Sequence, residues 1–247
     1  MAQAEVSRRR VLASGAGVAS AVGIAGGVRA ETLRQRLPWA PGAADRPESV
    51  DARPGYLFFT PEEAAFVEAA VARLIPSDAL GPGGLEAGVP RFIDRQLAGP
   101  YGQGERFYLN APNPKGEPTQ GWQMGAPAQV YRAAVAAVNR HVLDARGRLF
   151  AALAPVDQDA VLTSLEKGEA DLKGPVAAKA FFALLLQNSV EGYFADPIYG
   201  GNQDMAGWRL VGFPGARYDY SGYVTAHGQA FPLPPVSLQG RAGWRRS

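Results

Sequence analysis

Cysteine is absent from all 247 residues, and that one absence removes several chemistries. Without thiols the chain has no disulfides, thiolate zinc sites, cysteine-ligated iron–sulfur clusters or C-x-x-C-H attachment of c-type haem. Histidine is nearly as scarce, with only His141 and His227, far apart in sequence. A three-His zinc site or a multi-His copper site is therefore impossible. Neither histidine has a nucleophile partner, no G-x-S-x-G elbow is present, and surface or capping roles suit both. No G-x-G-x-x-G follows a strand pattern, and no strand–helix alternation runs through the chain. Gly15-x-Gly17 lies within an N-terminal apolar stretch and lacks that context. A dinucleotide-binding domain is not expected, so FAD or NAD should not bind here in the usual way.

Excess positive charge is also lacking where it would matter. The formal net charge is +2, but Arg8, Arg9, Arg10 and Arg29 against Glu5 give residues 1–30 a net +3, leaving about −1 for the rest. Nothing there would neutralise a row of phosphates, which excludes nucleic acid as an expected partner. Hydrophobic residues make up 47% of the chain, enough for one globular core.

The N-terminus has its own organisation. Ser7-Arg8-Arg9-Arg10 precedes an uncharged Ala-, Gly- and Val-rich stretch, 11–28, and Val28-Arg29-Ala30 supplies short residues at the −3 and −1 positions of a cleavage site. This is the order of a secretory signal. The arginine pair Arg8 and Arg9 before a glycine-rich, weakly hydrophobic segment points to the twin-arginine (Tat) translocase and hence to the periplasm. A membrane anchor is the competing reading, weakened by five glycines and no leucine after Leu12. Folded export fits a chain with no cysteines to oxidise.

Residues 31–57 follow as an extended arm, rich in Pro, Ala, Gly and Arg. Trp39, between Pro38 and Pro41, is either a tuck onto the parent domain or a partner anchor. The domain proper, 58–220, is expected to be mainly α: a single helical domain with long aromatic, Gly- and Pro-rich loops, followed by a tail, 221–247. Thr60-Pro61-Glu62-Glu63 reads as a capping box with proline at the first helical position. Phe66, Val67, Ala70, Val71, Leu74 and Ile75 then share a face up to Pro76. Residues 80–88 are a connector and 89–97 a short helix. Residues 99–125 form an aromatic, irregular loop, pinned by its own rings or covering a partner. A long helix is expected over 126–154, with a possible break at Gly147, and a shorter one over 156–166 closed by Gly168. The last, 176–194, looks apolar all round between Ala180 and Leu186, as in a buried central helix. The tail is open between wrapping and disorder.

That last helix delivers the densest stretch of the sequence, Tyr193-Phe194-Ala195-Asp196-Pro197-Ile198-Tyr199-Gly200-Gly201-Asn202-Gln203-Asp204-Met205-Ala206-Gly207-Trp208-Arg209-Leu210-Val211-Gly212-Phe213-Pro214-Gly215. Its mixture of rings, glycines and prolines is neither a helix face nor an alternating strand. Asp196-Pro197 starts a turn, and Gly200-Gly201-Asn202 can supply positive φ. An ordered aromatic loop is expected.

The run from Glu191 to Pro214 resembles the signature of the gluconate 2-dehydrogenase subunit 3 family, departing from it at Gln203, where a basic side chain is expected. The resemblance implies a small subunit of a periplasmic FAD-dependent sugar, sugar-acid or alcohol dehydrogenase. It implies a flavoprotein large subunit carrying FAD, and commonly a multi-haem cytochrome c subunit that hands electrons to the membrane and keeps the complex there. The small subunit would carry no cofactor, stabilise the flavoprotein and lend it the export signal. Candidate partner-facing residues are Trp39, Tyr193, Phe194, Tyr199, Asp204, Trp208, Arg209 and Phe213, with Tyr199 and Trp208 foremost. The residues themselves leave two alternatives. One is a stand-alone periplasmic hydrolase or metal-dependent enzyme built on Glu191, Asp196 and Asp204. Asp196 before proline is the residue type that caps turns, and Asp204 could cap or pair with Arg209. The other is a small-ligand module using the aromatic loops.

Overall fold

Helix boundaries follow the capping signals closely. The computed structural model describes residues 54–105, 125–217 and 219–238. The expected signal with Arg8 and Arg9, Trp39 and the arm to residue 53, the centre of the 99–125 loop, and residues beyond 238 lie outside them. Among the described residues there are seven α-helices and no strand.

Helix α1, Pro61–Leu74, begins at the reciprocal capping box. Thr60 Oγ1 accepts from the Glu63 amide, and Glu63 Oε2 accepts from the Thr60 amide at 2.9 Å. Helix α2 is Val89–Ala98, and α3, Pro100–Gln103, is one extra turn within the stretch expected to be irregular. Pro100 pre-sets the first helical φ there, which the aromatic composition of the stretch conceals. Helix α4, Pro127–Arg146, ends at Gly147 in the left-handed region, and α5, Pro155–Lys167, ends likewise at Gly168. Gly147 therefore stops the expected long helix, and a 3₁₀ turn, Phe150–Ala152, fills the gap. Helix α6, Ala178–Phe194, contacts α1, α2, α4 and α5, which makes it the centre of the bundle.

The core is aromatic at its middle. The Phe66 ring lies 4.7 Å from Phe150 and 6.2 Å from Phe181, and Phe181 meets Tyr131 edge-on at 5.7 Å. These four side chains are fully buried. The polar atoms among them are paired, as burial demands. Tyr131 donates to Asn188 Oδ1 at 2.9 Å, and Asn188 Nδ2 donates to the Tyr101 hydroxyl at 2.9 Å and to Glu191 Oε2 at 3.2 Å. Burial raises the Tyr131 hydroxyl pKa well above the usual phenol value, with Tyr101 and Glu191 adding to it.

One carboxylate organises the start of the domain. Asp94 on α2 is completely buried. Its Oδ1 accepts from the amides of Phe58 and Phe59 at 2.8 and 2.9 Å, and its Oδ2 from Leu57 at 2.7 Å. Arg95 Nη1 closes the set at 2.7 Å, while its Nη2 reaches the Gly55 carbonyl at 3.1 Å. A turn of backbone is thus fastened to α2 by one side chain. Next to it, Arg132 pairs with Glu63, caps the Phe58 carbonyl at 2.7 Å and lies 4.2 Å over the Phe58 ring, more than the solvated role its helix position implies.

Helix α6 is not apolar all round in its surroundings. Phe181, Phe182, Leu184 and Leu185 are buried, but Leu186, Val190 and Phe194 are exposed at i, i+4 and i+8. That spacing places them on one stripe of the helix.

Candidate functional site

The 191–215 stretch is an ordered loop, as expected, but it contains a helix. A 3₁₀ turn, Pro197–Tyr199, is followed by a second at Gln203–Met205 and by α7, Ala206–Val211. Asp196 Oδ1 accepts from the Ile198 amide at 3.0 Å, the turn-capping role its place before proline implies.

Asn202 is the fastener. It is fully buried, with φ of 45°. Its Nδ2 donates to the Ala195 carbonyl at the end of α6, and its Oδ1 accepts from the Gly207 amide at the start of α7, both at 2.8 Å. One side chain thus ties the two helix ends together. Asp204 and Met205 also adopt left-handed φ, of 54° and 57°, a cost that needs such a scaffold. Two glycines permit the close approach. A methyl at Gly201 would collide with the Gly192 carbonyl oxygen, and one at Gly207 with the Tyr193 carbonyl oxygen. The Gln203 amide donates to the Ala87 carbonyl at 3.0 Å and fixes the loop to the start of α2. Gln203 acts there through its backbone amide, which any residue but proline supplies.

The loop sorts its aromatic residues into two groups. Tyr193 and Trp208 are buried, at 4% and 6% exposure. Tyr193 donates to the Pro82 carbonyl and Trp208 Nε1 to the Phe194 carbonyl, each at 2.7 Å. Burial raises the Tyr193 pKa, and the nearby Asp78 and Glu86 carboxylates raise it further. Both residues were named as partner-facing from the sequence, Trp208 foremost; in the folded chain they brace the surface from beneath. Phe194, Tyr199 and Phe213 are exposed. The Phe213 ring meets Trp208 edge-on at 5.1 Å, and Phe194 sits against Gly207. With Leu186, Val190, Leu210 and Val211 they leave a run of apolar side chains open to water. Arg209 and Asp204 are exposed in the same segment, and no ion pair joins them among the described residues.

Beyond Gly215 the chain wraps back. A parallel bridge pairs Gly215 with Val236, and Asp196 Oδ2 accepts from the Leu238 amide at 2.9 Å. Within this tail Arg217 lies over the Phe231 ring at 5.2 Å, and Tyr223 meets Phe231 at a tilt, the ring centroids 4.6 Å apart. Up to Leu238 the tail is of the wrapping kind.

The carboxylates considered as catalytic are dispersed. Glu191 accepts from Gln187 and Asn188 on α6, Asp196 holds backbone amides, and Asp204 points outward from its turn. Among the described residues no three His, Asp or Glu side chains gather where a metal could sit. His141 lines a cleft of about 340 Å³ with Arg140, Asp144 and Lys173. A larger cleft, about 480 Å³, lies between α2 and the loop, lined by Leu57, Arg91, Arg95, Gln96, Ile198 and Tyr199. No described helix is long and apolar enough to cross a membrane.

The most elaborate feature of this helical protein is a braced loop with an open apolar surface. The family described as gluconate 2-dehydrogenase subunit 3 matches residues 61–215, more than half of the chain and all of the loop, and the chain belongs to that family. Membership of a dehydrogenase subunit family implies a multi-subunit complex. No curated protein and no solved structure gives a significant match to the chain.

Proposed function

We propose that this chain is the small accessory subunit of a periplasmic FAD-dependent sugar, sugar-acid or alcohol dehydrogenase. It docks on the flavoprotein subunit, stabilises it and supplies the twin-arginine signal for their joint export. The family match is the observation that carries this reading, and the apolar surface of the loop supports it, since contiguous exposed apolar patches mark interaction sites. In this reading FAD belongs to the large subunit, haem c to a cytochrome subunit, and the complex is held at the membrane through that cytochrome. The division of labour has a physical logic. A signal recognised with folded cargo can carry a flavoprotein that has already bound its cofactor, provided the two chains associate before export.

Purification of the tagged chain from the periplasm tests it. Flavin and haem absorbance should arrive with larger polypeptides and vanish from the periplasm when Arg8 and Arg9 are both changed to Lys. A colourless chain exported alone would refute the reading.

A further inference from the structure

We propose that Leu80, at the tip of the connection between α1 and α2, is an anchor that inserts into an apolar pocket of the flavoprotein subunit, and that Asp78 and Glu86 beside it meet basic side chains on the rim of that pocket. The inference rests on the accessory-subunit reading above. It adds to the 191–215 loop a second contact, made by a segment that reads in the sequence as a connector.

The tip is rigidly made. Asp78 and Gly81 exchange both backbone hydrogen bonds of an antiparallel bridge, at 3.2 and 3.3 Å, and Asp78 Oδ1 accepts from the Leu80 amide at 2.8 Å. Behind it, the Gly84 amide donates to the Ile75 carbonyl at 2.8 Å and the Val89 amide to the Gly84 carbonyl at 2.9 Å, which ties the connection to both helices. The Leu80 side chain is nevertheless 76% exposed, the most open of the large hydrophobic residues described. A single exposed leucine is ordinary. One whose backbone is already fixed loses less conformational freedom when a partner covers it, which is how a preorganised anchor gains affinity.

Its position relates it to the signature loop. The Pro82 carbonyl accepts from the Tyr193 hydroxyl at 2.7 Å, and the Ala87 carbonyl from the Gln203 amide at 3.0 Å. The connection is thus held against the end of α6 that carries Phe194, and Leu85, 44% exposed, falls between the two fastenings in sequence. A partner seated on the loop has this connection beside it.

Charge selects what covers the tip. Asp78 and Glu86 are exposed, and both act on the Tyr193 hydroxyl, which places them by the same helix end. Neither joins an ion pair among the described residues. A surface that covers them has to supply cations or leave carboxylates desolvated without partners, which is costly. A second copy packed on the same face would bring its own Asp78 and Glu86 against them. The anionic headgroups of a membrane surface would repel them likewise. An apolar pocket with a basic rim on another protein suits the leucine and the carboxylates together.

The test uses the full-length chain co-expressed with its flavoprotein subunit. Flavoprotein affinity is measured at low and high ionic strength for wild type, Leu80→Ser, Leu80→Met, Asp78→Asn and Glu86→Lys, with the melting temperature of each variant as the folding control. Leu80→Ser should weaken binding by roughly tenfold or more, at a melting temperature close to wild type. Leu80→Met should retain most of the affinity. Asp78→Asn keeps an acceptor for the Leu80 amide and removes only charge. It should weaken binding modestly and Glu86→Lys more, both chiefly at low salt. Equal affinity for wild type and Leu80→Ser would overturn the proposal while leaving the accessory-subunit reading intact. So would a wild-type affinity that does not fall as salt is added, since the basic rim would then be absent. Concentration-dependent dimerisation of the wild-type chain that disappears in Leu80→Ser would assign the tip to a second copy and overturn the proposal. A wild-type chain that captures no flavoprotein would instead defeat the accessory-subunit reading itself.

Discussion

In the helical core, Phe66, Tyr131, Phe150 and Phe181 withdraw their rings completely from water. In the 191–215 loop it is the backbone fastenings that are withdrawn. Asn202, Gly201 and Gly207 are buried, while Phe194, Tyr199 and Phe213 remain exposed. The core gains its stability by burying apolar area, a non-directional effect. The loop spends directional hydrogen bonds and strained φ values on holding apolar groups where water can reach them. The contrast supports the proposal that the loop serves as a docking surface.

The largest effect that would sharpen this contrast lies in the core. Phe66→Ala should cost about 3–5 kcal/mol in a urea unfolding experiment, because the cavity left among Phe150 and Phe181 cannot fully collapse. Asn202→Ala comes next. It removes two buried hydrogen bonds and leaves a β-carbon in the left-handed region, for a loss of about 2–3 kcal/mol. Asn202→Gly loses the same bonds but not the backbone compatibility, so it should be about 1 kcal/mol milder. Equal losses for the two variants would mean that the left-handed φ at 202 carries no cost. Phe213→Ser should change stability by less than about 1 kcal/mol, since the ring is half open to water, while strongly weakening capture of the flavoprotein.

pH separates the regions more gently. Tyr56, Tyr101, Tyr131 and Tyr193 all have hydroxyl pKa values raised, with burial as the leading cause in each. A raised folded value means that their stabilisation is complete below the ordinary phenol pKa of 10.0 and is lost as pH climbs through the folded values. Unfolding midpoints should therefore fall above about pH 10, and less steeply in Tyr56→Phe. The smallest effect belongs to the partly exposed Arg73–Asp159 pair, whose two contacts are 2.7 and 2.8 Å. The hydrogen bonds from Arg73 hold the Asp159 carboxyl below its usual value. Its contribution is present above the unfolded carboxylate pKa and disappears as pH falls through the lower folded one. The melting temperatures of wild type and Asp159→Asn should differ slightly at neutral pH and converge in acid.

How much of this was legible beforehand follows the same division. The core helices could be read because their signals are local. Thr60 and Glu63 cap α1, Gly147 and Gly168 stop α4 and α5, and Val130, Tyr131, Ala134, Val135 and Val138 mark the buried side of α4. The turn at Asp196-Pro197 and the positive φ at Gly200 and Asn202 were equally readable, because the residue types dictate them. Helix α7 was not, since its first turn depends on the Asn202 side chain arriving from outside its own helical period. Asp94 was missed because a carboxylate beside an arginine on a short helix looks solvated; its three amide partners lie more than thirty residues away. Sequence pattern could not divide the aromatic residues either. Trp208 and Tyr199 are equally prominent in the text of the loop, and only the fold shows which hydrogen-bonds inward. The stripe at Leu186, Val190 and Phe194 escaped for a related reason: hydrophobicity marks burial without saying whether this chain or another one provides the cover.

The most direct measurement is a flavoprotein capture titration with wild type and with the double variant Val190→Glu/Phe213→Glu. The account expects wild type to retain flavin absorbance stoichiometrically and the double variant, with an unchanged melting temperature, to retain almost none. Undiminished retention by the folded double variant would contradict the claim that this surface is what the loop is built to present.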